Sequence, residues 1–115
     1  MAIEVTRFFG AEEKEITLYN GAALINYSIE VVDLDGNDFP FDGYVSAFWR
    51  FKNERSGKTI KNLTTQISRN SKYLVVNSSI ADMTFKTNGK YYYEVGYVMT
   101  GGYEVYLAYG KASVI

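Results

Sequence analysis

Apolar and polar residues alternate in short blocks along this chain, and turn-forming residues separate the blocks. A period of two places neighbouring side chains on opposite faces of a strand, so each block predicts a β-strand with one buried face. In residues 23–32 the expected buried face carries Ala23, Ile25, Tyr27, Ile29 and Val31. In residues 44–53 it carries Val45, Ala47, Trp49 and Phe51. Weaker blocks at residues 3–9, 59–67 and 73–77 extend the pattern, which predicts an all-β fold.

The segment GKYYYEVGYVMTGGYEVYLAYGKASVI predicts a β-hairpin, because two strand-like runs flank Gly101 and Gly102. If Thr100 lies opposite Tyr103, the register of the hairpin follows. One face then carries four pairs, most of which join a large side chain to a small one: Tyr97 with Tyr106, Val95 with Ala108, Tyr93 with Gly110 and Tyr91 with Ala112. We therefore expect this face in the core, which includes Trp49, Phe51, Tyr91, Tyr93 and Val95. The hydroxyl of Tyr91 is also placed to bond to nearby backbone.

The other face of the hairpin is the candidate functional surface. It pairs Val98 with Val105, Gly96 with Leu107, Glu94 with Tyr109 and Tyr92 with Lys111. If residues 44–53 lie beside the hairpin, Tyr44 and Phe48 join this face. An exposed apolar patch of this kind usually marks a contact with another protein. The expected interface is Tyr44, Phe48, Tyr92, Val98, Val105, Leu107 and Tyr109.

The amino-acid composition narrows the function further. The chain has 115 residues, which suits one hydrophobic core, so we expect residues 1–115 to form a single β-sandwich domain. It contains no histidine and no cysteine, which excludes His-based triads, thiolate nucleophiles and His or Cys metal ligands. Glu30, Glu94 and Glu104 remain as carboxylates on predicted strands, but nothing singles out a catalytic pair. We expect a protein that is not an enzyme.

Charge and hydropathy argue against binding to nucleic acid or membranes. The formal net charge is -1, so no overall field attracts phosphate. A basic run with aromatic neighbours offers stacking and charge, but Trp49 and Phe51 fall on the core face; the run contains Arg50, Lys52, Arg55, Lys58 and Lys61. Apolar runs are short, and the start of the chain lacks the features of a signal peptide.

An acidic segment around Asp33, Asp35, Asn37, Asp38 and Asp42 offers oxygen ligands of the kind that calcium prefers. Its glycine is the fourth residue counted from Asp33, whereas the EF-hand loop requires glycine at the sixth position. We expect a solvated turn and no cofactor, with a structural calcium ion at Asp33, Asp35 and Asp38 as the alternative.

Three sequence features occur in a characteristic order: LDGNDFPFDGY leading into VSAFWRFKN, the strand GKYYYEV, and the last strand YLAYGKASVI with its late glycine, Gly110. Together they resemble the immunoglobulin-like domain at the N-terminus of phage baseplate upper proteins, and related tail, fibre and capsid-auxiliary proteins of phages. The resemblance covers residues 16–115. It rests on the pattern of these features, so no functional residue is transferred.

The resemblance implies an immunoglobulin-like antiparallel β-sandwich of about seven to nine strands. It also implies a non-enzymatic virion protein, in an auxiliary, decoration, fibre-attachment or baseplate and tail connector role. Its expected partners are other virion proteins, it is expected in several copies or as a homo-oligomer, and it is made in the host cytoplasm without a signal peptide. The alternative is a carbohydrate-binding or adhesin module that uses Tyr92, Tyr44 and Tyr109.

Overall fold

The computed structural model describes the backbone of residues 2–6 and the whole of residues 11–33 and 35–115. These residues form ten strands and no helix, so none of them belongs to a helix that crosses a membrane. The strands are β1 (Ala2–Thr6), β2 (Glu12–Glu13), β3 (Ile16–Leu18), β4 (Tyr27–Val32), β5 (Tyr44–Lys52), β6 (Thr59–Leu63), β7 (Ile67–Asn70), β8 (Tyr73–Val76), β9 (Gly89–Met99) and β10 (Glu104–Val114). Their all-β character confirms the prediction from alternation.

The strands form two sheets that enclose the core as a sandwich. One sheet has the order β1-β4-β8-β7, and the other has the order β2-β10-β9-β5-β6, with β3 also paired to β10. Since β2 and β3 pair with successive parts of β10, they form one interrupted edge, and the ten strands occupy nine positions. The central pairs are antiparallel as expected, but β1 pairs with β4 and β2 and β3 pair with β10 in parallel.

Aromatic rings from both sheets fill the space between them. Trp49 is completely buried, and its ring centroid lies 5.7 Å from that of Tyr27, 5.3 Å from Phe51 and 6.3 Å from Tyr93. Five of the residues expected in the core are buried: Trp49, Phe51, Tyr91, Tyr93 and Val95. Val45, expected on the same face of β5 as Trp49, is instead 61% exposed. The hydroxyl of Tyr91 donates to the carbonyl oxygen of Thr87 at 2.6 Å, a backbone contact of the kind expected from the sequence.

Two predicted strands differ from the structure in their bounds. The block expected from residue 23 begins as a strand only at Tyr27, because Asn26 has a φ of 49° and interrupts the extended backbone. Ile25, expected in the core, is therefore 77% exposed. The first expected strand covers residues 3–9, and β1 contains the part up to Thr6; residues 7–10 lie outside the described part of the chain, so the rest of that prediction is not tested.

The turn between β9 and β10 contains three residues instead of the expected two. The amide of Gly102 donates to the carbonyl oxygen of Met99 at 3.0 Å. The amide of Met99 donates to the carbonyl oxygen of Tyr103 at 2.8 Å. Thr100 therefore joins Gly101 and Gly102, whose φ values of 94° and 86° suit glycine. The extra residue moves the pairing near the turn by one position.

A β-bulge at Leu107 restores the expected register farther from the turn. Near the turn Glu104, and not Val105, pairs with Val98, and Tyr106 pairs with Gly96. After the bulge Ala108 pairs with Val95, as expected from the sequence, and the same holds for Tyr93 with Gly110 and Tyr91 with Ala112. Leu107 and Ala108 both belong to the buried core, because a bulge places two residues opposite one.

Candidate functional site

The outer face of β5, β9 and β10 is less apolar than the sequence suggested. Of the expected interface residues, Leu107 is fully buried in the core, and Val105 pairs with Tyr97 and packs against the core. Tyr44 also packs against the core, because a register shift in β5 turns it inward, and its ring stacks on Tyr97 at 5.9 Å. Phe48 is on the outer face but is only 2% exposed. The remaining members, Tyr92, Val98 and Tyr109, stay on the outer face and are at least partly exposed.

Phe48 is covered by the side chains of Tyr106 and Arg50. The ring of Tyr106 packs edge-on against it, with centroids 5.6 Å apart. The guanidinium of Arg50 lies 4.1 Å from the Phe48 ring centroid. A Cβ on Gly96 would approach Phe48 Cζ to 2.9 Å, so the glycine makes room for the ring. The apolar part of this face is thus shielded from solvent.

Arg50 on β5 links carboxylates on β9 and β10. Its Nη1 donates to Glu94 Oε1 at 3.5 Å and to Glu104 Oε1 at 3.2 Å, and its Nη2 donates to Glu104 Oε2. Lys52 Nζ adds a second cation 3.4 Å from Glu94 Oε1. The Arg50 hydrogen bond to Glu104 lowers the pKa of Glu104 and raises that of Arg50. A hydrogen bond to Glu104 also raises the pKa of Tyr106.

We expect the Arg50–Glu104 pair to stabilise the fold in a pH-dependent way. Because the pKa of Glu104 is lower in the folded state than its ordinary value of 4.5, its contribution is present above that value. It is lost as the pH falls through the folded pKa. An Arg50→Gln variant should therefore be less stable than the parent near neutral pH, with a difference that shrinks in acid. Urea unfolding at several pH values measures this, with exposed Lys58→Gln as the control for loss of one charge.

Carboxyl chemical shifts provide a direct measurement of the same effect. In Arg50→Gln the pKa of Glu104 should rise toward its ordinary value, and in Lys58→Gln it should stay where it is. An unchanged Glu104 pKa in Arg50→Gln would contradict the stabilising interaction between Arg50 and Glu104.

A pocket of about 310 Å³ opens on this face beside the charge network. Its walls combine rings with charged groups: Lys52, Arg55, Tyr92, Glu94, Tyr106 and Tyr109. Arg55 lies over two of the rings, with its guanidinium carbon 5.4 Å from the centroid of Tyr92 and 5.9 Å from that of Tyr109. It also donates to Glu13 at 3.0 Å. Side chains from β5, β9, β10 and the β5–β6 turn therefore line one pocket.

Exposed apolar side chains occur on two loops at one end of the sandwich. Tyr19, Ile25 and Ile80 are each more than half exposed. The loops that carry them are bonded together, because the amide of Ser78 donates to the carbonyl oxygen of Leu24 at 2.9 Å. Further bonds join Leu24 to Ser78 and Asn26 to Asn77. These loops, residues 19–26 and 77–84, therefore carry exposed apolar side chains that strand alternation did not predict.

The acidic segment forms a turn that uses its own carboxylate. Asp33 Oδ1 accepts hydrogen bonds at 2.9 Å from the amides of Asp35 and Asn37. Asp38 lies 3.6 Å from Lys72. Among the described residues, no three acidic side chains come together as a metal site.

The sequence missed Arg50, Glu104 and Tyr106 as members of the site. Its alternation placed Tyr106 inside, opposite Tyr97, in a hairpin where the other inner pairs join large residues to small ones. This mismatch of two large rings was the available signal that the register changes near the turn. Alternation places Arg50 on the same face of β5 as Phe48 but gives it no carboxylate partner, and the register change near the turn brings Glu104 to it.

No family model matches the sequence, and no curated protein matches it. Among solved structures, the chain is similar to one described as the N-terminal domain of phage TP901-1 ORF48. The two share 13% sequence identity with a TM-score of 0.57, and the match covers 98% of this chain and 97% of that chain. At this identity the likeness shows a common fold, which extends over nearly the whole of both chains.

Proposed function

We propose that this chain is a non-enzymatic structural domain of a phage particle, present in several copies and acting through contacts with other virion proteins. The observation that carries the proposal is the shared fold over nearly the whole chain with a domain of a phage protein. The order of motifs in the sequence supports the same assignment. A connector or auxiliary role in the virion fits both.

The contact surface that we propose is the pair of bonded loops at residues 19–26 and 77–84. Ile25 and Ile80 are 77% and 66% exposed, and apolar side chains held on hydrogen-bonded loops suit a protein interface. This proposal replaces the surface expected from alternation, since Leu107 and Phe48 are buried.

The proposal is tested on phage particles purified from a lysate. Mass spectrometry of banded particles should detect the chain in stoichiometric amounts relative to the capsid or tail proteins. Its absence from intact particles would overturn the proposed function.

The loop surface is tested by variants supplied in trans to a phage that lacks the gene. The double variant Ile25→Asp and Ile80→Asp should fold normally but enter particles about tenfold less than the parent, because charge replaces the apolar contact. The matched control is Tyr103→Asp, which charges an exposed residue at the other end of the sandwich. Equal incorporation of the double variant would reject this surface.

A further inference from the structure

The pocket on the outer face is lined by aromatic rings and by polar groups whose hydrogen-bonding capacity is not fully used within the protein. The hydroxyls of Tyr92 and Tyr109 make no hydrogen bond with the described residues, and both rings are partly accessible. They lie on neighbouring strands, since Glu94 pairs with Tyr109 and Lys111 pairs with Tyr92. The two rings therefore line one cavity, and the part of each ring that Arg55 does not cover is the aromatic surface available to a ligand; the Arg55 guanidinium carbon lies 5.4 Å from the centroid of Tyr92 and 5.9 Å from that of Tyr109.

The polar groups of the pocket are held in place before any ligand arrives. The carboxylate of Glu94 is fixed by Arg50 and Lys52, at 3.5 Å and 3.4 Å from its Oε1. One oxygen of Glu94 has no hydrogen bond or ion pair with the described residues, and Lys52 has further N–H donors. Groups that are already ordered cost little entropy when they bind.

A sugar ring matches this combination. A pyranose presents C–H groups on its faces, which pack on aromatic rings, and hydroxyls on its rim, which both donate and accept hydrogen bonds. The volume of about 310 Å³ lies at the lower end of the range for small-molecule pockets, which suits one or two rings. The carboxylate of Glu94 accepts from a hydroxyl, and the ammonium of Lys52 donates to one.

The local charges favour a neutral ligand over a phosphate backbone. The face carries Arg50, Lys52, Arg55 and Lys111, but it also carries the carboxylates Glu13, Glu94 and Glu104. The four cations and three carboxylates nearly balance, so the face lacks the continuous positive charge with which single-strand binders surround their stacking rings.

We propose that this pocket binds a neutral pyranose residue of a glycan, with Tyr92 and Tyr109 packing on the ring and Glu94 and Lys52 bonding to its hydroxyls. Tyr44, which the sequence grouped with Tyr92 and Tyr109, is not part of the site because it packs on the inner side of β5. The binding activity is separate from the proposed virion role, and each stands or fails without the other.

The test is a titration of the purified full chain with methyl pyranosides of glucose, galactose, mannose and N-acetylglucosamine, followed by amide chemical shifts, together with a glycan array. At least one sugar should shift the amides of Tyr92, Glu94 and Gly110, which line the pocket. Absence of such shifts with all four sugars, and of any signal on the array, would overturn the proposal. Shifts confined to amides elsewhere on the chain would overturn it too.

Variants then assign the binding to the pocket. Tyr109→Ala should weaken binding about tenfold or more, since it removes one aromatic surface. The matched control Tyr103→Ala removes an exposed tyrosine outside the pocket and should bind like the parent. Unchanged binding by a folded Tyr109→Ala, or equal loss in both variants, would refute the site.

Discussion

Replacing Leu107 with glutamine should destabilise the domain by about 3–5 kcal/mol, because it removes a fully buried side chain and places an amide in the core. The same change at the preceding residue, Tyr106→Gln, should cost only about 1 kcal/mol. Tyr106 is 38% exposed, and it contributes one ring contact to Phe48 and one hydrogen bond to Glu104. Urea unfolding followed by Trp49 fluorescence measures both variants.

The two substitutions discriminate between the bulged hairpin and a regular one. In a regular hairpin with a two-residue turn, Tyr106 faces the core and Leu107 faces solvent, so the order of the two costs is reversed. A larger loss of stability in Tyr106→Gln than in Leu107→Gln would show that the bulge is absent.

Gly96→Ala should cost about 3 kcal/mol or more, although Gly96 has no left-handed backbone. A Cβ there would lie 2.1 Å from the carbonyl oxygen of Val105 and 2.9 Å from Phe48 Cζ. Because the first obstacle is backbone, the variant must displace β10 or lose its pairing. Thermal and urea unfolding measure the change in stability.

Gly102→Ala is the matched control, because it adds the same methyl group with no atom within 4 Å. Its cost should be about 1 kcal/mol, from the φ of 86° alone. Equal costs in the two variants would contradict the tight approach of β9 and β10 at Gly96.

Much of the fold could be predicted because side-chain size and polarity alternate with strand geometry. Residues such as Ala47, Trp49 and Phe51 follow a period of two and are buried in β5. The far half of the hairpin was predictable because Tyr93 and Tyr91 require small partners, and Gly110 and Ala112 supply them. For these residues, the size and polarity of the side chain and of its near neighbours are enough to predict burial and pairing.

The parallel edges were not predictable from alternation. The strands β2 and β3 contain only two and three residues, which is too short for a period to appear. Their place is set by pairing with β10, far along the chain. The late start of β4 was not predictable either. Asn26 interrupts the extended backbone with a positive φ, although the residues on both sides of it alternate as in a strand.

The candidate site was only partly predictable, because two register shifts decide which side chains share a face. One additional residue in the turn exposes Glu104 and Tyr106, and the bulge then returns the strand to its earlier phase. A similar shift between Tyr44 and Ser46 moves Tyr44 to the inner side. Tyr92 and Tyr109 lie beyond both shifts, and they are the predicted pair that the structure does bring into one pocket.

The pairing of β2 and β3 with β10 has a consequence for the time course of folding. Glu12 pairs with Ala108 and Leu18 pairs with Val114, so this edge forms only after residues 104–114 have left the ribosome. Contacts between such distant parts of a chain slow folding, because a long loop must close before they form. The residues of β2 and β3 therefore remain unpaired with β10 during most of synthesis, and during that time a chaperone or a neighbouring nascent chain has access to them.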